Sequence, residues 1–190
     1  MNLLGSKTLE TERLLLRKTE EQDLKKLWKI LLDRDISRYY LTCKINDNWE
    51  DEKKWQYKKL ERAANPDMFC WTIIRKDNNE VIGQITVQEG STEDKSIRDI
   101  GWFISKQNQR KGYAYEAASK VLDYMFNEVK LNKIETSVAM INPASWGLME
   151  KLGFKRLETT HKNKYYFVGE EVDSYEYELT KEEYEGVNNG

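Results

Sequence analysis

From Gln109 to Ala114 the chain reads Gln-Arg-Lys-Gly-Tyr-Ala, and an apolar run of helical period follows. Two cations and a glycine at the mouth of a helix suit an anion. The first N–H groups of a helix lack helical partners, and the dipole is positive at that end. Gly112 allows close backbone approach, and Ala114 keeps a second position small. The lysine-serine/threonine ending of a nucleotide P-loop is missing, as is the dinucleotide glycine triplet. The stretch therefore reads either as a diphosphate cradle of another kind or as a solvated basic turn. About thirty residues later, Asn142-Pro143-Ala144-Ser145 opens a short helix that "EKLGF", Glu150 to Phe154, closes. Asn142 has the type of an N-cap. Asp99 and Glu135 sit on predicted strands, where a carboxylate can take a proton from a nucleophile or simply be solvated. His161, the only histidine, lies in the polar "ETTHKNKYY". It reads as a solvated loop residue or as a base that titrates near neutrality.

The elements that must position these residues follow from periodicity. "ERLLLRK", Glu12 to Lys18, is a strand. Thr19 and Gln22 have the types of a capping box, and Leu24, Leu27, Trp28, Leu31 and Leu32 then recur at helical spacing. "DRDISRYYLTCKINDN" is a loop or short helix, whose Tyr39, Tyr40 and Trp49 are aromatic wall or local packing. Asn48 and Asp51 cap a second helix with apolar marks Trp55, Leu60, Ala63 and Ala64, stopped by Asn65-Pro66. Trp28 and Trp55 are expected in the core. Two strands flank the turn Asp77-Asn78-Asn79, and "RDIGWFISK" is a third. The helix after Gly112 runs through Val129, a strand covers "LNKIETSVAMIN", and Gly153 ends the short helix. "KYYFVGEEVDSYEYELTKEEY" gives two strands about Gly169, then polar residues. The order is β-α-α-β-β-β-α-β-α-β-β, an α/β chain with a mixed sheet.

Length and composition bound the function. The chain has 190 residues, enough for one domain with a real core, and no linker or repeat divides it. We read residues 1–190 as one domain with its core at about 9–184. A net charge of −2 with interspersed signs gives no broad basic face for nucleic acid. Cys43 and Cys70 are too few and too far apart for a disulfide framework or a zinc site, so no metal is expected. No apolar run has signal-peptide or membrane-span length, so a cytoplasmic location without membrane contact is expected.

Together the pieces resemble the GNAT superfamily of acyl-CoA N-acyltransferases. Its pattern Gln/Arg-x-x-Gly-x-Gly/Ala is met by Gln109, Gly112 and Ala114. "LETERLLLRK", "GYAYEA", "NPASWGLMEKLGF" and "GEEVDSYEYEL" are similar to the branch with the ribosomal-protein alanine and serine N-terminal acetyltransferases. The resemblance runs from Leu9 to Tyr184. It implies a mostly antiparallel mixed sheet of about six to seven strands with helices on both faces, splayed between the strand before the loop and the next. It implies acetyl-CoA as cosubstrate and an amine acceptor, either a peptide N-terminus or a small molecule such as an antibiotic. A homodimer is a further possibility. The pantetheine arm would pair with the strand of Trp102, Phe103 and Ile104, and Asn142 would bond it. The loop Gln109, Arg110, Lys111, Gly112, Tyr113 and Ala114 would hold the pyrophosphate. Arg110 stands where glycine is frequent. Met149 stands where many members carry a proton-donating tyrosine, and methionine cannot donate. Ser145 is then the candidate partner of the leaving thiolate, or else a first-turn residue. Asp99 and Glu135, on the two strands that should flank the gap, are the candidate bases, and the branch's hairpin glutamate has no clear counterpart near His161, a departure that counts against an identical substrate. An acyl-CoA sensor without turnover and a binding module built on Arg110 and Lys111 are the alternatives.

Overall fold

The computed structural model describes Asn2 and residues 4–188. Among them, eight strands form one sheet. They are β1 (Leu9–Glu10), β2 (Leu14–Lys18), β3 (Phe69–Arg75), β4 (Val81–Glu89), β5 (Ile97–Ile104), β6 (Lys133–Ala139), β7 (Lys155–Lys164) and β8 (Glu171–Thr180). Their order is β1-β2-β3-β4-β5-β6-β8-β7. Every neighbouring pair is antiparallel except β5 and β6. The helices are α1 (Glu21–Leu31), α2 (Arg34–Ser37), α3 (Trp49–Ala63), α4 (Tyr113–Tyr124), α5 (Pro143–Lys151) and α6 (Lys181–Asn188).

Strand alternation divides the sheet into two unlike faces. On one, Phe69, Trp71, Ile73, Ile85, Val87, Ile100 and Ile134 pack with α4 and α5 in a single apolar core. Along the other face run Thr72, Gln84, Thr86, Gln88 and Asp99, and α1 covers part of it. α1 docks there through an ion pair as well as through apolar contact. Arg17 reaches both carboxylate oxygens of fully buried Asp23, at 2.7 and 2.8 Å, and Asp23 also accepts from the Thr72 hydroxyl at 3.0 Å.

Several expectations need correction. The extra strand beyond seven is the two-residue β1. The box that caps α1 is Glu20 with Asp23, one residue later than Thr19 and Gln22. Trp55 is 57% exposed rather than in the core. α3 buries Glu52, Gln56 and Ala63 instead, because Glu52 accepts from the Asn46 backbone and amide and from Gln56. The strand placed on "KYYFV" is really β7, Lys155–Lys164, an exposed edge strand. Tyr165 to Gly169 form a turn, with Tyr165 buried and Tyr166 N–H bonded to Leu41 O. Lys181 to Asn188, read from the sequence only as polar residues, form α6.

One glycine is demanded by close approach. The β3–β4 register slips between Ile73 and Ile74, which leaves Ile82 as the extra residue of a bulge. Beside it, a Cβ on Gly83 would lie 2.1 Å from Phe103 O on β5. Gly83→Ala should therefore push β5 aside and destabilise the fold by about 1–3 kcal/mol. A melting curve should fall by roughly 2–10 °C. An unchanged curve would mean that β5 yields freely at this point.

Candidate functional site

β5 and β6 pair only at Ile97–Lys133, Arg98–Ile134 and Asp99–Glu135, and then separate. Alternate residues of a strand turn their backbone groups to opposite edges. Ser105 N–H donates to Ile82 O on β4, so Gly101 and Phe103 also face β4. Ile100, Trp102 and Ile104 face the gap. The Thr136 hydroxyl takes Ile100 O at 3.0 Å, and the Gln109 amide takes Ile104 O at 3.0 Å. On β6, Met140 N–H reaches Asp173 O on β8, which turns Ser137 and Ala139 toward the gap. Asn142 N–H takes Ala139 O. Trp102 and Ser137 are thus left with N–H and C=O on facing open edges. Of the three β5 residues expected there, Phe103 is excluded by parity, and its ring packs on Tyr40 at 5.1 Å.

The gap opens into a cleft of about 1150 Å³. At one end lies the loop before α4. Arg110 has φ +61°, a left-handed conformation, which explains why glycine suits that position. Gly112 has φ +83° and is the N-cap of α4. The first helical bond is Glu116 N–H to Gly112 O, so the preceding N–H groups are unused by the helix. Arg110 and Lys111 are exposed there, and the Lys151 ammonium lies over the Tyr115 ring at 4.4 Å. The Gln109 side chain is spent on bracing the loop to β5.

Arg13 was not singled out by sequence reasoning, yet it bolts this loop. Its guanidinium bonds Glu116 and Lys111 O and lies 4.6 Å from the Tyr113 ring centre. The Thr11 hydroxyl joins it on Glu116. Nothing in "TER" signals this, because the partners are about a hundred residues apart.

Asn142 is the N-cap of α5 by position, yet its side chain makes no cap bond. It faces the cleft together with Ser145 in the first turn. Met149 is 2% exposed and belongs to the apolar core with Leu152 and Phe154. Tyr39 and Tyr40 wall the cleft, whereas Trp49 packs on Trp28 at 5.3 Å.

The two carboxylates part company. Asp99 lines the cleft, with Gln88 Nε2 at 3.0 Å. Burial pushes its carboxyl above the ordinary range. Glu135 is held by Ser91 N–H and Lys133 beside the adjoining loop, outside the cleft lining. His161 is no loop residue. It lies on β7 between Glu176 and Asn163. Cleft-lining side chains beside Asp99 are uncharged and polar: Gln88, Thr136 and Tyr40. Burial also raises the Tyr40 hydroxyl well above its usual value. Among the described residues, no group of His, Cys, Asp and Glu is placed to hold a metal ion, and no helix is long and apolar enough to cross a membrane.

Residues 13–155 match the family "Acetyltransferase (GNAT) domain". An uncharacterized N-acetyltransferase, p20 of Bacillus licheniformis, is 33% identical over 94% of this chain and 99% of its own. The ribosomal-protein-S5-alanine acetyltransferase of Vibrio fischeri superposes with a TM-score of 0.77 at 17% identity, covering 94% of this chain and 99% of that one. The spermidine N-acetyltransferase of Vibrio cholerae, solved with CoA and spermine, gives 0.77 at 23% identity, covering 92% and 99%.

The Glu116 anchor yields a prediction. Burial opposes its ionisation, but the Thr11 hydroxyl and the Arg13 backbone and guanidinium together hold its carboxyl below 4.5. A lowered carboxyl stabilises the fold above the unfolded pKa, and the gain is lost as pH falls through the folded one. Glu116→Gln should therefore cost about 1 kcal/mol at pH 7, allowing for screening at half-exposed Arg13. The deficit should shrink below pH 4. Equal deficits at pH 7 and pH 3 in denaturant titrations would count against the ion pair.

Proposed function

We propose, from the premise that the chain belongs to the GNAT acetyltransferase family and is an acetyl-CoA-dependent N-acetyltransferase, that its acceptor is the amine of a peptide N-terminus. The observation that carries the reading is the opening between β5 and β6, with unpaired backbone at Trp102 and Asp99 at its base. The pantetheine arm pairs with Trp102 as an added strand, and Asn142 donates to it. The diphosphate sits on the free N–H groups at the start of α4, with Arg110 and Lys111 adding positive charge.

Transfer is direct. The neutral amine attacks the thioester carbonyl, and an N–H on the open edge of β5 polarises the carbonyl oxygen. As the C–N bond forms and the C–S bond breaks, the electron pair leaves on sulfur. Asp99 takes the ammonium proton, directly or through water. The Ser145 hydroxyl donates to the thiolate. Glu135 has no part in this scheme.

Charge supports the peptide over a polyamine. The cleft carboxylates are Asp99 and Asp35, and Asp35 is already paired with Lys106 at 2.6 Å. Lys59 and Arg62 of α3 also line it, apart from the cations at the diphosphate loop. A polycation would meet more repulsion than attraction, whereas a single amine flanked by peptide groups suits Asp99 amid neutral hydrogen-bonding side chains.

Thiol release from acetyl-CoA with a panel of peptides and amines tests the reading. A protein that binds CoA and releases none with any acceptor is a sensor instead. Asp99→Asn should lower kcat/KM by roughly 10²–10⁴. A base must be ionised, so the raised carboxyl moves the acid limb of the wild-type pH profile above 3.8, and the variant should lack that limb. Ionised Asp99 is a cost to the fold at neutral pH, so the variant should melt no lower than wild type. A variant that is active and keeps the limb would remove Asp99 as base.

Ser145→Ala should lower kcat at saturating acetyl-CoA by at most about 10², with CoA affinity kept. Turnover within twofold of wild type would leave Ser145 as a helix-start residue.

A further inference from the structure

A hydrogen-bonded chain runs from the outer hairpin into the cleft, and the transfer scheme does not use it. At its outer end, Glu176 on β8 accepts from the Thr159 hydroxyl and faces His161 Nδ1 at 2.9 Å. Thr159 first, and then His161, hold this carboxyl below the usual range against the effect of burial. It is an ionised acceptor, so Nδ1 carries a proton.

The other ring nitrogen, Nε2, faces Asn163 Oδ1 at 3.1 Å. Asn163 Nδ2 donates to Ser137 Oγ at 2.9 Å and to Ser174 Oγ at 3.0 Å. The Tyr165 hydroxyl adjoins both side chains, and the Ser174 hydroxyl points to Val172 O at 3.3 Å, which leaves its oxygen to accept from Asn163. That fixes the amide with its NH₂ inward and its oxygen toward His161. The His161 ring thus bridges the Glu176 carboxylate and the Asn163 amide oxygen.

The consequence falls on Ser137. Its oxygen accepts from Asn163, so its own proton is available to the cleft that it lines. Ser137 lies on the same face of the sheet as Asp99. It is two residues along β6 from Glu135, the cross-strand partner of Asp99, which puts it at least about 8 Å from Asp99. A donor at that separation from an amine-binding carboxyl matches the start of a peptide, where only Cα and the carbonyl carbon separate the amine from the first carbonyl oxygen.

We infer that Ser137, aimed by Asn163, recognises the first carbonyl of the acceptor, and that His161 is a positioning residue which fixes the Asn163 amide. The site takes compounds with a carbonyl beside the amine-bearing carbon, in preference to plain alkyl amines. This rests on acetyl transfer at the cleft described above.

The experiment compares kcat/KM for an alanyl peptide amide and for propylamine, by thiol release, in wild type and two variants. Ser137→Ala should lower the peptide-to-propylamine ratio roughly three- to tenfold, the effect of one hydrogen bond. His161→Ala, on the half-exposed hairpin, should lower the same ratio through the peptide KM while the peptide kcat holds. It also decides the matter if Ser137→Ala fails to fold. An unchanged ratio, or a loss shared equally by the two amines, overturns this site and leaves acetyl transfer standing. Wild-type turnover of neither amine overturns the transfer reading and this site with it.

Discussion

Everything at the site depends on a ladder that stops. Parallel pairing of β5 with β6 ends at Asp99 and Glu135, although both strands continue. Open strand edges are a liability, and unpaired buried backbone groups are costly. The chain trims that liability residue by residue. Thr136, Gln109 and the Asn142 N–H take the exposed carbonyls of Ile100, Ile104 and Ala139. What remains open is concentrated at Trp102 and Ser137. A ligand with amide groups of its own can complete the ladder there, and a ligand without them leaves it unsatisfied. Selectivity for an amide-bearing arm thus follows from backbone accounting before any side chain is considered.

The two faces of the sheet divide the labour. The face under α4 and α5 is closed by apolar contact and holds the strands in place. The other face is polar beneath α1, and Arg17, Asp23 and Thr72 keep the helix on it. A buried ion pair is weak as a source of stability, because desolvation offsets much of the attraction. Its geometric effect is clearer. It seats α1 on a polar face that continues through Gln84, Thr86 and Gln88 to Asp99, so the cleft keeps hydrogen-bonding groups where an apolar core would have expelled them. Tyr40, packed on Phe103, closes the far side.

Legibility in the sequence tracks how narrowly geometry restricts residue type. Left-handed backbone at Gly112 and Gly153 leaves few choices, and the loop and the α5 motif were readable for that reason. Hydrophobicity misled where it reports burial rather than conformation. Lys155–Lys164 is a strand without an apolar face because it is an exposed edge, and the apolar stretch after it is a turn packed beside Leu41. α3 buries glutamate and glutamine, so its apolar residues pointed to the wrong face. Asp99 and Glu135 were equivalent in sequence, and only the position of the adjoining 90–91 loop separates them. The chain from Glu176 to Ser137 was unreadable because it joins three strands whose order, β6-β8-β7, departs from sequence order.

Met149 shows where chemical selectivity must lie. Its side chain fills the apolar core beside Leu152 and Phe154 and also borders the cleft, where it offers no proton. The loss of a proton donor at that position is tolerable, because a thiol with a pKa of about 8.5 leaves as thiolate without much help. The amine end has no such latitude. An acceptor amine arrives protonated at neutral pH and must lose a proton before it attacks, and the product ammonium must lose another. The polar groups gathered around Asp99, and the hydrogen-bonded chain that ends on Ser137, stand at that end of the cleft. In the proposed scheme the costly buried polarity thus lies on the side of the reaction where proton transfer and acceptor choice are decided, and the sulfur side is left to the intrinsic acidity of the thiol.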